Sequence, residues 1–91
     1  MDKVKLTELL KGKLNEINYL RTLHFQNGEF TAWKSKVSQI LESHYGKEST
    51  QCRRFAAAPG RAFIVRTETG QTQEYHRQLE CYEDVLKSLI S

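Results

Sequence analysis

Residues 29–46 read E-F-T-A-W-K-S-K-V-S-Q-I-L-E-S-H-Y-G, and this stretch decides the fold class. Phe30, Trp33, Val37, Ile40 and Leu41 recur at gaps of three, four, three and one. That spacing is one face of a helix with a 3.6-residue period. Lys34, Ser35, Lys36, Ser38, Gln39 and Glu42 lie between them and suit a solvated face. Asn27 and Gly28 can open the helix, and Gly46 can close it in a left-handed cap. A helix of this length is held mainly by burial of its apolar face. The rest of the chain, or a partner, must supply the cover.

Towards the N-terminus, residues 2–25 predict a first helix. Val4, Leu6, Leu9, Leu10, Leu14, Ile17, Leu20 and Leu23 form its stripe, at gaps near three and four. Gly12 interrupts it and weakens the middle by about 1 kcal/mol relative to alanine; it reads as a tolerated glycine. Asn27-Gly28 is a turn signal. A short link places two helices antiparallel, so the two helices should form a hairpin with Leu20 and Leu23 near Phe30 and Trp33.

Towards the C-terminus, Ser49 or Thr50 can cap a short helix that ends before Pro59. Cys52 and Phe55 should face the hairpin. Residues 61–72 carry Ala62-Phe63-Ile64-Val65, which favours a strand, and Thr69-Gly70 could fold it into a β-hairpin. The preferred reading is an extended connector that tucks Phe63 and Val65 onto the helices. From Thr72 to Ile90 the stripe Tyr75, Leu79, Tyr82, Leu86 and Leu89 predicts a last helix. Thr72 is the expected N-cap, and Glu74 suits the first turn.

The chain has 91 residues, 38% of them hydrophobic, which reads as one domain, 1–91, with a thin core. No apolar run reaches the roughly 20 residues of a membrane span, and the first ten residues lack a signal-peptide core. The expected compartment is the cytoplasm, where Cys52 and Cys81 stay free thiols. The net charge of +3 is uneven, with Arg53, Arg54, Arg61 and Arg66 in the middle and Glu74, Glu80, Glu83 and Asp84 near the end. Charge balance between packed neighbours is the simpler reading of this pattern.

A catalytic centre needs converging polar groups, and none is legible. His24, His44, His76, Cys52 and Cys81 lack the paired spacing of a zinc site. Gly12-Lys13 lacks the upstream glycine of a phosphate loop. Glu80, Glu83 and Asp84 read as a solvated helix face. Tyr19, Tyr45, Tyr75 and Tyr82 read as residues with buried rings and wet hydroxyls. No enzyme activity, cofactor or metal is expected. Arg53, Arg54, Arg61 and Arg66 flank Phe55 and Phe63, and arginines interleaved with aromatics can hold single-stranded nucleic acid. The competing reading puts both phenylalanines in the core and the arginines in water.

Phe30, Trp33, Leu41, Tyr45-Gly46, Ser49 and Phe55, followed by Tyr75, Leu79, Leu86 and Ile90, give the chain a further likeness. In this order they resemble a small helical region of prokaryotic multidomain proteins. There the region precedes a predicted nucleotide-binding, TIR-like domain, often in defence-associated proteins. The resemblance covers most of the chain from Glu29 on. These 91 residues include no such effector domain, so no activity and no catalytic residue is carried over. What the resemblance implies is an accessory module that self-associates or recognises a partner.

The sequence therefore predicts an all-α domain: an antiparallel helical hairpin, a short helix and a C-terminal helix. The expected function is a non-enzymatic protein-interaction or oligomerisation module, with Val85, Leu89 and Ile90 at the contact. The rival is a small nucleic-acid-binding protein using Arg53, Arg54 and Arg61.

Overall fold

Asp2 opens the first helix, α1 (Lys3–Leu20), by accepting a hydrogen bond from the Lys5 amide at 2.8 Å. The computed structural model describes residues 2–60 and 66–90. Leu6, Leu10, Ile17 and Leu20 are the buried stripe of α1. The helix stops five residues short of its expected end at residue 25. The reason is local: the Thr22 and Leu23 amides turn back to the Tyr19 and Leu20 carbonyls, in the tighter i→i+3 pattern of a closing turn. The Tyr75 hydroxyl also donates to the Leu20 carbonyl.

The second helix, α2 (Glu29–Tyr45), is started by Asn27 from outside the helix. The Asn27 Oδ1 accepts from the Phe30 amide at 2.9 Å, while its Nδ2 donates to the His24 carbonyl and to the Tyr75 hydroxyl. Gly46 ends α2 with φ 96° and ψ 147°. The positive φ agrees with the expected cap, but the extended ψ does not: this is mirror-β backbone, open essentially to glycine. Next, α3 (Thr50–Ala56) is capped by Ser49, whose Oγ accepts from the Cys52 amide at 3.2 Å.

The last helix, α4 (Glu68–Ile90), begins four residues before the expected Thr72. Thr67 is the side-chain cap, its Oγ1 accepting from the Gly70 amide at 3.1 Å. Thr72 lies inside the helix and donates to the Glu68 carbonyl at 3.0 Å. Residues 68–72 are thus neither a β-hairpin nor an extended connector, because Thr67 and the acid at Glu68 suffice to start a helix through Gly70. Residues 61–65, with Arg61, Phe63 and Val65, lie outside the described residues. Among those described there is no strand, so the chain is all-α.

Around the bundle, α1 packs on α2 and α4, and α3 packs on the same two helices from the other side. Helices α2 and α4 face each other across the middle, and aromatic rings span the space. Phe30 meets Tyr75 at 5.3 Å and Tyr82 at 5.8 Å, and Trp33 meets Tyr82 at 6.0 Å between centroids. Phe55 of α3 closes the layer, 4.7 Å from Tyr82 and 6.0 Å from Trp33. The Phe30–Tyr75, Phe30–Tyr82 and Trp33–Tyr82 pairs are edge-to-face, an arrangement that adds to the area they bury. Trp33 is 3% exposed. It reaches α1, α3 and α4, with its Nε1 donating to the Lys13 carbonyl at 3.1 Å. Every buried residue of the described chain is aliphatic or aromatic.

Gly12 faces solvent, and a Cβ there would meet nothing within 4 Å. It is a tolerated glycine, as expected. The tyrosines divide differently from expectation. Tyr19 is 55% exposed, whereas Tyr75 is buried with its hydroxyl inside the protein, on the Leu20 carbonyl.

Candidate interaction surfaces

Three side-chain latches fix the outer edges of α4. The guanidinium of Arg21, just past the end of α1, holds Glu83 at 3.1 Å, and Lys87 approaches the same carboxylate at 3.5 Å. Arg54 of α3 donates to the Ser88 hydroxyl at 2.9 Å. Arg77 donates through Nε to Glu74 and through Nη1 to the Pro59 carbonyl, each at 2.8 Å. The Arg77 hydrogen bond holds the Glu74 carboxyl below the usual carboxylate range. The acids Glu74 and Glu83 therefore find their cations on α4 itself and at Arg21, just past α1. The charge balance expected with the basic middle segment is not how these two are satisfied.

The basic segment divides in the same way. Arg53 and Arg54 are exposed on α3, Arg66 is exposed ahead of α4, and Arg61 lies outside the described residues. Phe55, between them in sequence, is 2% exposed and packed into the aromatic layer. Its face is spent on Trp33 and Tyr82 and offers nothing for a base to stack on. Cys52 donates to the Gly46 carbonyl at 3.2 Å and lines a cleft of about 190 Å³ with Lys47 and Arg53. Both Cys52 and Cys81 are free and half-buried.

Val85, Leu89 and Ile90 are half-buried and pack against the core from the C-terminal half of α4. The Tyr75–Leu20 hydrogen bond and the approach of His24 to Glu68 at 3.6 Å put the start of α4 beside the end of α1, and Arg54 of α3, beyond the far end of α2, reaches Ser88, so α1 and α4 run antiparallel. The start of α1 and the end of α4 therefore share one end of the bundle. Val4, at the start of α1, is 70% exposed. A shallow groove of about 400 Å³ between α1 and α2 is lined by Leu9 and Lys13 on one side and by Lys36, Gln39, Ile40 and Ser43 on the other.

The histidines do not converge with the cysteines. His24 stacks on Phe25 and lies 3.6 Å from Glu68, while His44 and His76 lie against the rings of Tyr45 and Tyr75. Among the described residues, no group of three or more His, Cys, Asp or Glu side chains could hold a metal ion, and no helix is long and apolar enough to cross a membrane. Comparison with protein-family models, curated proteins and solved structures finds no match to the chain.

Sequence reasoning missed two polar groups that organise the bundle. Asn27 was legible as a turn residue but not as the link between α2 and Tyr75. The Glu74–Arg77 pair has the i,i+3 spacing of a helix-surface contact, yet nothing local marks Arg77 as the partner of Pro59.

Proposed function

We propose that this chain is a non-enzymatic helical module for protein interaction, with self-association as its first use. The observation that carries the reading is an apolar set at one end of the bundle that its own core does not cover completely: Val85, Leu89 and Ile90 pack against the core and each keep a part of their surface exposed. A core this thin gains stability by sharing apolar surface with a second copy, and a symmetric dimer is the commonest way to do so. The resemblance to helical regions ahead of TIR-like domains supports an accessory role in the prokaryotic cytoplasm, linked to defence. The nucleic-acid reading keeps Arg53 and Arg54 but loses Phe55 as a stacking platform. Sedimentation across a micromolar concentration series tests the proposal. The expected result is a dimer or larger, and the Leu89→Asp, Ile90→Asp variant should give a monomer or an unfolded chain. A parent protein that stays monomeric at every concentration would remove self-association.

A further inference from the structure

The outer face of α1 is left uncovered by its own bundle. At about 100° per residue, Val4, Glu8, Lys11, Asn15 and Tyr19 fall within a sector of about 80°. That sector points about 180° away from the buried stripe of Leu6, Leu10, Ile17 and Leu20. All five residues are exposed. Val4 and Tyr19, at 70% and 55%, are the exposed large hydrophobic residues of the described chain. A single exposed apolar residue is ordinary. Here both stand on one face, about 22 Å apart along the axis, with a carboxylate and an ammonium between them.

This face is complementary to its own reverse. Consider a second α1 laid antiparallel on the first, with the two-fold axis at the level of residues 10 and 11. Val4 then comes within about 3 Å of the level of Tyr19 of the second copy, and Glu8 within about 3 Å of the level of its Lys11. The symmetry makes each contact twice. The Glu8 and Lys11 side chains have no hydrogen bond or ion pair among the described residues, so both are available for it. A parallel pair would instead set Glu8 against Glu8 and Lys11 against Lys11.

We infer that the outer face of α1 is a contact between two copies of this chain, packed antiparallel with Val4 against Tyr19 and Glu8 against Lys11. The inference rests on the self-association reading and adds a second surface to it. Val85, Leu89 and Ile90 lie on another helix, so dimers made at the α4 end can join through α1. One helix face is small beside the roughly 1,200–2,000 Å² of total surface that stable interfaces bury. The α1 contact is therefore the weaker of the two and forms at higher concentration.

Sedimentation of the full chain from about 10 μM to about 1 mM tests this. The parent should grow beyond the dimer as concentration rises, and less so as salt rises. Glu8→Lys and Lys11→Glu each bring like charges together across the contact. Each should raise the concentration needed for this growth by roughly tenfold or more. An equal mixture of the two variants sets opposite charges together again and should grow as the parent does, which a folding defect would not allow. Val4→Ser should weaken the growth as well, with circular dichroism showing each variant folded. A parent that never passes the dimer, single variants that assemble like the parent, or a mixture no larger than its components overturns the inference. The self-association reading stands in all three cases if the dimer itself persists. Conversely, a folded Leu89→Asp, Ile90→Asp chain that still pairs, and only with Glu8 and Lys11 intact, keeps the α1 contact and loses the α4 one.

Discussion

The Tyr75 hydroxyl donates to the Leu20 carbonyl, 55 residues away in sequence, and accepts from the Asn27 side chain at 3.2 Å. One phenol thus ties the end of α1, the entry to α2 and the first core turn of α4. Removing the hydroxyl takes one of two donors from the Leu20 carbonyl, which keeps the Leu23 amide, and so costs about 0.5–1.5 kcal/mol. Tyr75→Phe should lower stability to urea by that amount while leaving the ring packing with Phe30 in place. A loss below about 0.5 kcal/mol would mean that water replaces the phenol.

Burial raises the Tyr75 and Tyr82 hydroxyl pKa values, the Asn27 hydrogen bond opposing the rise at Tyr75. Both groups hold their protons more tightly folded than unfolded. The stability this contributes is full below the unfolded value of about 10 and is lost as pH rises through the folded value. Absorbance of tyrosinate should show Tyr75 and Tyr82 ionising at higher pH than tyrosine in the urea-unfolded chain, together with loss of helix. Ionisation of these two at the unfolded-chain value in a folded protein would contradict the buried placement.

At Gly12 the backbone is helical, the site is solvent-exposed and a Cβ meets nothing within 4 Å. Gly12→Ala should therefore stabilise the protein by about 0.5–1 kcal/mol. A destabilised variant in thermal unfolding would reveal a close neighbour of α1 in solution.

Trp33 fills the centre of the aromatic layer at 3% exposure. Trp33→Ala should cost about 3–5 kcal/mol, a large share of the stability of a domain this small. The native emission maximum should be shifted to the blue of a water-exposed tryptophan. An emission maximum typical of full exposure would place Trp33 outside the core.

The helices whose apolar stripes repeat cleanly were legible. Phe30, Trp33, Val37 and Leu41 are the buried face of α2, and Tyr75, Leu79, Tyr82 and Leu86 that of α4. Ser49 was readable as a cap because serine before a helix has one dominant use. The ends were harder. Leu23 continues the stripe of α1 beyond its true end, since a periodic residue packs on a core equally well from a link. Thr69-Gly70 read as a possible hairpin turn, but one glycine costs a helix only about 1 kcal/mol, and a cap with a long packed helix behind it outweighs that. The surface sites were the least legible. Periodicity marks Val85, Leu89 and Ile90 as apolar but cannot say how much of each its own core covers. Nor can it pair Lys36 with Lys13 across a groove.

The ring layer between α2 and α4 also bears on the order in which the chain can fold as it leaves the ribosome. The α1–α2 hairpin is complete by Tyr45, but the rings that cover Phe30 and Trp33 belong to Phe55, Tyr75 and Tyr82. Until residue 82 has emerged, the nascent hairpin must hold a phenylalanine and a tryptophan towards water. Contacts this distant in sequence close late, and exposed apolar surface invites association in the meantime. The last helix is therefore what converts a sticky intermediate into a finished domain.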